Sequence, residues 1–415
     1  MQKIRQNRPY KIGIDASRAF VSEPTGVEYY SLNLIKNLAR IDTVNHYTLY
    51  LRPGQKVNFT IPQNFKIKTV NMRYLWTQLG LARELLINPV DLLFVPAHTL
   101  PLLNQWVMRR FPVVVTVHGL EGKYLPQSGN YLAHIYRNWS IEWSVRYGDR
   151  LIAVSEDTRK DVVKTYQVEA SKLRVIHEGV DLNRFSSNKN KAHVRSGYST
   201  SYESKVLQKY GIEGDYILFV GTIQPRKNLV RLIEAFSLLT DDSTRQPIRT
   251  DVVRNGSKTL TSSLRGLKLV IAGGYGWLYE PTTSAPAKYG VEDAVVFTGR
   301  VDEDELDSLY RHAKVFVLPS ITEGFGLPIL EAQAAGVPVV SSTGGALKEV
   351  GGNGAFYVDP KSLREIKNGL EKVLTDSVLQ KDLIKKGYQN VQGYSWESAA
   401  YNTLKYFIET LEEKP

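Results

Sequence analysis

The chemistry of this chain is densest in Ser320-Ile-Thr-Glu323-Gly-Phe-Gly-Leu-Pro-Ile-Leu-Glu331, where seven residues separate two carboxylates. The apolar run Val315–Leu318 before it reads as a buried strand, Gly324 and Gly326 as a bare loop, and Pro328 as an opening helical residue whose missing N–H costs nothing. Gly336 and Pro338 end that helix. Glu323 is thus expected in the loop and Glu331 in the first helical turn. A helix N-terminus presents unpaired N–H groups and partial positive charge, glycines allow close approach to the backbone, and carboxylates accept hydrogen bonds from hydroxyls. The combination suits a polyhydroxylated, anionic ligand. The plainer alternative is that Glu331 only complements the helix dipole, worth about 0.3–1 kcal/mol, while the glycines shape a turn.

A second constellation is Gln224-Pro-Arg226-Lys227-Asn228. Its two cations precede a helix expected to be capped by Asn228, where the dipole disfavours positive charge, so an anion should compensate. An arginine fork beside a lysine point charge makes a diphosphate site, against the ordinary alternative of two solvated side chains. Asp302-Glu-Asp-Glu305 imitates an acidic metal motif, yet Asp302 with Glu305 three residues on, just before Leu306, reads as a capping box. No histidine cluster accompanies it, and metal-free chemistry is expected.

The elements around these residues alternate. Continuous apolar strands are read at Lys11–Asp15, Asp91–Val95, Pro112–Val117, Arg150–Val154, Asp215–Val220, Leu267–Ile271, Ala294–Thr298 and Val315–Leu318, with amphipathic helices between them. His98 and His118 fall at the C-terminal ends of their strands, where ligands bind in open α/β sheets. The helix over Tyr74–Leu86, with Leu75, Trp76, Leu79, Ala82, Leu85 and Leu86, is expected to cover the sheet rather than meet a membrane surface. Trp139, Trp143 and Tyr147 recur at helical spacing and are likewise expected in a core. The fold class is α/β, in two Rossmann-like parallel-sheet halves. The expected division is 1–185, joined by a C-terminal helix over 395–415, then a linker or insertion over 186–208, then 209–394.

With 415 residues, two domains are the natural expectation, and 42% hydrophobic content fits a globular chain. The absence of cysteine excludes disulfides and thiol chemistry. A formal charge of +11 favours anionic partners, but the cations are scattered and no nucleic-acid module is present. Met1–Pro9 lacks the apolar core of a secretory signal and no apolar run nears the roughly 20 residues of a membrane span, so the chain is expected to be cytoplasmic, with the charge permitting peripheral contact on the inner face of the membrane.

These landmarks together resemble the family-4 retaining glycosyltransferases of the GT-B fold. The resemblance rests on Glu323-x7-Glu331, Arg226-Lys227-Asn228, Gly26 in Thr-Gly-Val, His118 in Val-Thr-Val-His-Gly, and Ala153-Val-Ser-Glu; the opening Ile14-Asp-Ala-Ser-Arg is most similar to bacterial polysaccharide mannosyltransferases. It implies two domains facing across a cleft, with Glu331 on the donor ribose, and Glu323 with the Gly324, Phe325, Gly326 and Leu327 backbone on the transferred hexose. Arg226 and Lys227 would hold the diphosphate, approached by the Gly26 loop, and His118 would face the reacting sugar. Thr298-Gly-Arg300-Val301 resembles the segment that reads the nucleobase through its backbone. His118-Gly stands where many relatives have His-Asp. The implied reaction moves a hexose, mannose from GDP-mannose, to a glycan or lipid-linked glycan, with a nucleotide-sugar co-substrate and no cofactor or metal. A UDP-glucose or UDP-N-acetylglucosamine transferase, a sugar-nucleotide epimerase and a noncatalytic sensor are the alternatives. Nothing in the sequence signals an oligomeric state.

Overall fold

A computed structural model of the chain describes residues 4, 6–97, 99–101, 111–120, 131–185, 199–241, 264 and 266–413. His98 and most of the 186–208 segment singled out above lie outside these residues. The chain divides into two compact units, 1–179 with 394–415, and 180–393.

The first unit holds seven parallel strands: β1 (Lys11–Asp15), β2 (His46–Leu51), β3 (Phe65–Thr69), β4 (Leu92–Val95), β5 (Val113–Val117), β6 (Arg150–Ala153) and β7 (Leu173–Val175), in the order β3-β2-β1-β4-β5-β6-β7. Their central members are buried on both faces, as in Ile12, Ile14, Leu93 and Val115, which is why they read as unbroken apolar runs. β3, at the edge, exposes Lys66, Ile67 and Lys68. The second unit holds β8 (Tyr216–Val220), β9 (Lys268–Ala272), β10 (Val295–Gly299), β11 (Val315–Leu318), β12 (Val339–Ser342) and β13 (Ala355–Val358), in the order β10-β9-β8-β11-β12-β13. Both sheets reverse direction of growth once, between β1 and β4 and between β8 and β11, the places where open α/β sheets leave a crevice at the strand ends. Among the described residues no helix is long and apolar enough to cross a membrane.

The boundary between the units falls six residues before the expected 185, and the described part of the expected linker is not one: Ser199–Lys209 is a helix of the second unit. Arg311 and His312 hold it through Glu203, at 3.5 and 3.6 Å. The closing helix Trp396–Glu412 packs on the Gly26–Ile41 helix of the first unit. Trp396 meets Tyr29 and Tyr30 with ring centroids 6.1 and 5.9 Å apart, and Phe407 meets Phe94 at 5.0 Å.

Several local expectations change. The Tyr74–Leu86 segment buries Trp76, Ala82 and Leu85 but exposes Leu75, Leu79 and Leu86. Its first part, Trp76–Leu81, is a π-helical turn, and that wider turn moves later side chains off the ordinary helical phase. In the Tyr131–Tyr147 helix, Ile141 and Val145 face the core, while Trp139 and Tyr147 are exposed. Asp302 stands at the N-cap of the Glu303–His312 helix without a side-chain capping bond. Glu305 is drawn off to Lys209, at 2.7 and 2.8 Å, and to the Tyr210 hydroxyl, so no capping box closes.

Phe407 and Phe94 are fully buried, so Phe407→Ala leaves a cavity and is expected to lower stability of the first unit by about 3–5 kcal/mol. Urea unfolding read by circular dichroism checks this; a loss below about 1 kcal/mol contradicts the docking of the closing helix.

Candidate active site

In the second unit, the loops after β8 and β11 meet at the point where the strand order reverses. Ile321 N donates to Arg226 O at 2.8 Å, and the Asn228 side chain donates to Pro319 O and Pro360 O at 3.0 and 2.7 Å. Asn228 does hold the N-cap position of the Leu229–Thr240 helix, with a left-handed φ of 60°, but its amide is used for these bridges rather than for capping.

The bridges bring three predicted residues into contact. Lys227 Nζ donates to Glu323 Oε1 at 2.6 Å, Ser320 Oγ donates to the same oxygen at 2.6 Å, and Arg226 Nη1 pairs with Glu323 Oε2. Lys227 and Glu323 are buried. The anion that the two cations require is therefore Glu323 itself. Burial alone pushes the Glu323 carboxyl up; Arg226 and Lys227 outweigh it and bring the carboxyl down to about 2. It is a carboxylate at every working pH, held between the two cations.

The loop is shaped by glycines at defined points. Gly326 has a φ of 105°, and a Cβ there would stand 2.6 Å from Leu347 Cδ2. Gly344 and Gly345 let the next loop press on Ile321–Glu323, since a Cβ on either would come within 2.3 Å of backbone oxygens. Ala346 N then donates to Glu323 O at 3.0 Å. Gly324, Phe325 and Leu327 complete the turn, Phe325 being buried.

Glu331 differs from expectation in position and company. The helix runs Leu327–Ala334 with Gly326 at its N-cap, which makes Glu331 its fifth residue, past the first turn, and removes the dipole reading. The Tyr310 hydroxyl donates to Glu331 Oε2 at 2.8 Å, and Arg184 Nη1 lies 3.8 Å from Oε1. Arg184 Nε also donates to Asp307 Oδ1 at 2.6 Å and Nη2 to Glu303 O at 2.8 Å. Burial raises the Glu331 carboxyl, with Arg184 and the Tyr310 bond opposing. Burial likewise pushes the Asp307 carboxyl up to about 6 against the pull of Arg184, and Glu331 adds to the rise. Arg300 is exposed and Val301 half-buried just after β10, whose last residue, Gly299, has a φ of 66° and accepts from Gly273 N at 2.9 Å.

In the first unit, Gly26 opens its helix behind Thr25, whose N–H donates to Glu28 Oε2 at 3.1 Å. No atom lies within 4 Å of where a Gly26 Cβ would stand, so packing within this unit does not require the glycine. Tyr30, one turn on, meets the His118 ring edge-to-face at 4.6 Å. His118 Nε2 lies 2.8 Å from Pro96 O, an acceptor only, so Nε2 carries a proton; Nδ1 faces Glu178 Oε1 at 3.4 Å.

Arg184, Tyr310, Asp307, Ser320, Glu178 and the Gly344–Gly345 pair were not singled out by sequence reasoning. Glu178 alone carried a visible signal, a carboxylate two residues beyond a strand in His177-Glu-Gly-Val-Asp181. The others act across 18 or more residues of chain, except Ser320 beside Glu323.

The fold is two parallel Rossmann-like sheets, and buried carboxylates and cations gather at the strand ends of the second. The chain belongs to the family-4, group 1 glycosyltransferases. The description "Glycosyltransferase Family 4" matches residues 24–184 and "Glycosyl transferases group 1" matches 205–390. It is similar to the Escherichia coli O-antigen chain mannosyltransferase B, at 27% identity over 93% of this chain and 97% of that protein. The E. coli serotype-specific mannosyltransferase WbdA is 26% identical over 64% of this chain, which spans only 29% of that longer protein. Among solved structures, the sucrose-phosphate synthase of Thermosynechococcus elongatus shares the fold with a TM-score of 0.72 at 19% identity, covering 99% and 100% of the two chains. The Anabaena HepE complex with UDP and glucose does so at 0.65 and 16%, covering 95% and 98%. These neighbours are GT-B glycosyltransferases, and this chain has that fold.

A raised carboxyl pKa stabilises the fold below its unfolded value, near 4, and that contribution is lost as pH rises through about 6. Asp307→Asn removes the titration. Its stability relative to the parent is therefore expected to improve by about 1–3 kcal/mol between pH 4 and pH 7. Urea midpoints of both proteins across that range test it, and parallel curves contradict the assignment.

Proposed function

We propose that this glycosyltransferase moves mannose from GDP-mannose to a glycan or lipid-linked glycan, with retention of configuration and without a metal. The reading is carried by the buried Glu323 group with Arg226 and Lys227 at the strand-order reversal; the mannose assignment is supported by the mannosyltransferases named above. In this reading the protein works in the cytoplasm, and its formal charge of +11 permits peripheral contact with the inner face of the cell membrane.

In this reading Glu331 accepts from the donor ribose, and Arg300 and Val301 lie along the nucleobase. Glu323 and the Gly324–Leu327 backbone hold the hexose hydroxyls, and Arg226 and Lys227 receive the diphosphate, with Gly26 leaving its loop bare for close approach. Inversion avoided by a double displacement needs a carboxylate on the far face of the ring. Glu323 is committed to two cations and Glu331 to Tyr310, so transfer on one face is favoured. The bond from the anomeric carbon to the leaving phosphate breaks, the acceptor oxygen bonds to that carbon on the same face, and its proton passes to a leaving-phosphate oxygen. Arg226 and Lys227 stabilise the charge that develops there. His118, held by Pro96 and Glu178, positions and polarises rather than removing a proton.

Arg226→Ala is expected to lower the turnover of the folded protein by about 10²–10³, with a fall in melting temperature because Glu323 loses a partner; near-normal turnover sinks the assignment. Gly26→Ala, which meets no neighbour in its own unit, is expected to keep its melting temperature and lose transfer rate. A thermal-shift panel of GDP, UDP and ADP tests the donor, because bound ligand raises stability by mass action. Stabilisation by UDP alone replaces GDP-mannose with a UDP-sugar, and an epimer formed from sugar nucleotide without acceptor replaces transfer with isomerisation.

A further inference from the structure

The loop after β9, Gly273-Gly-Tyr-Gly-Trp-Leu-Tyr279, sets three aromatic residues among three glycines and supplies none of the site residues described above. Its glycines let backbone approach backbone. Gly273 has a φ of 151°, and a Cβ on it would stand 2.1 Å from Gly221 O; a Cβ on Gly276 would stand 2.8 Å from Ile223 O. The pairing of β8 with β9 therefore continues past the strand ends, Ile223 N donating to Gly274 O and Gly276 N to Ile223 O, both at 2.9 Å. Trp277 Nε1 donates to Gln224 Oε1 at 3.1 Å, two residues before Arg226. On the other side Gly273 N donates to Gly299 O at 2.9 Å, one residue before Arg300. The loop is thus fixed between the segment carrying Arg226 and Lys227 and the segment carrying Arg300 and Val301.

Its exposed surface is aromatic. Tyr275 is 53% exposed, and its ring centroid lies 5.0 Å from that of Tyr279, the two planes inclined by 53°. Leu278, at a left-handed φ of 50°, turns the chain into the Glu280–Tyr289 helix. Among the described residues of the second unit, the other strongly exposed aromatic residues are Tyr202 and Tyr388, both on helices. Of the three, Tyr275 alone stands on a loop at the C-terminal end of a strand, where ligands bind in open α/β sheets.

Sheet order decides what this ring can meet. β9 lies between β10 and β8, with adjacent strands about 4.8 Å apart, so a ligand with its base beside Arg300 and its diphosphate at Arg226 and Lys227 passes over the end of β9. The loop assigned to the hexose follows β11, on the far side of β8. An aromatic ring after β9 is therefore matched to a nucleobase rather than to the transferred sugar. Arg300 and Val301 offer the base no ring, whereas a tyrosine presents a π-face on which any base can stack.

We propose that Tyr275 stacks on the nucleobase of the donor and is a specificity-determining residue for the nucleotide. The proposal rests on the donor placement given under the proposed function and adds a residue to it. Trp277 pins the loop to the diphosphate segment through Gln224, and Tyr279 backs the Tyr275 ring.

The test is isothermal titration calorimetry of the full chain with GDP and with pyrophosphate, which lacks the base, comparing the parent with Tyr275→Ala and Tyr275→Phe. Tyr275→Ala is expected to weaken GDP binding about tenfold or more while pyrophosphate binding and the ligand-free melting temperature stay unchanged. Tyr275→Phe should keep the parent affinity, because the ring and not the hydroxyl makes the contact. In transfer assays the alanine variant should raise KM for GDP-mannose with kcat held, the pattern of lost uniform binding. Equal GDP binding by the parent and the alanine variant, or an equal loss for GDP and pyrophosphate, overturns the proposal and leaves the donor placement standing. If the parent binds UDP or ADP in place of GDP, the GDP assignment falls, and the same three proteins titrated with that nucleotide decide Tyr275 by the same criterion. A parent that binds no nucleotide overturns both.

Discussion

The burial of Glu323 against Arg226 and Lys227 is the constraint on which the second unit is arranged. A lone carboxylate taken out of water costs several kcal/mol, and an incompletely paired one remains costly. Two cations and the Ser320 hydroxyl meet that cost only if the loop after β8 and the loop after β11 lie side by side. Parallel strands that are neighbours in space and distant in sequence provide this adjacency, and the Ile321–Arg226 backbone bond secures it. The glycines follow from the same closeness. Any side chain on Gly344 or Gly345 would drive the next loop off Glu323.

The two glutamates, with seven residues between them, live under opposite conditions. Glu323 is pulled down by two cations and remains an anion that orients its neighbours. Glu331 is raised by burial, with Arg184 at 3.8 Å and the Tyr310 hydroxyl opposing. His118 in the first unit is comparably restrained, since a carbonyl that only accepts sets which ring nitrogen bears the proton.

Much of this was legible in the residues. Strands buried on both faces read as continuous apolar runs, so β1, β4, β5, β6 and β8–β11 could be placed from the residues, whereas β13, whose Ala355-Phe-Tyr-Val lies at an edge with two half-buried positions, gave no such signal. The loop glycines and the Glu323, Glu331, Arg226 and Lys227 set were visible because their spacing is local. Errors arose where a distant group competed with a local preference. Glu305 left its capping box for Lys209 and Tyr210, and Asn228 turned its amide to Pro319 and Pro360. A π-helical turn, which has no periodic signature, rotated Leu79 and Leu86 outward.

By itself the sequence determined the α/β class, the strand ends at which chemistry sits, and the identity of the charged groups, because hydrophobic period, glycine and proline act over a few residues. Only the tertiary structure decided which charge meets which. Arg226 and Lys227, expected to await a diphosphate, already hold Glu323. Glu331, expected to complement a dipole, is met by Tyr310 and Arg184 from 21 and 147 residues upstream. The physical reason is that electrostatic pairing depends on separation in space and on exclusion of water, and neither is written in the spacing of residues along a chain.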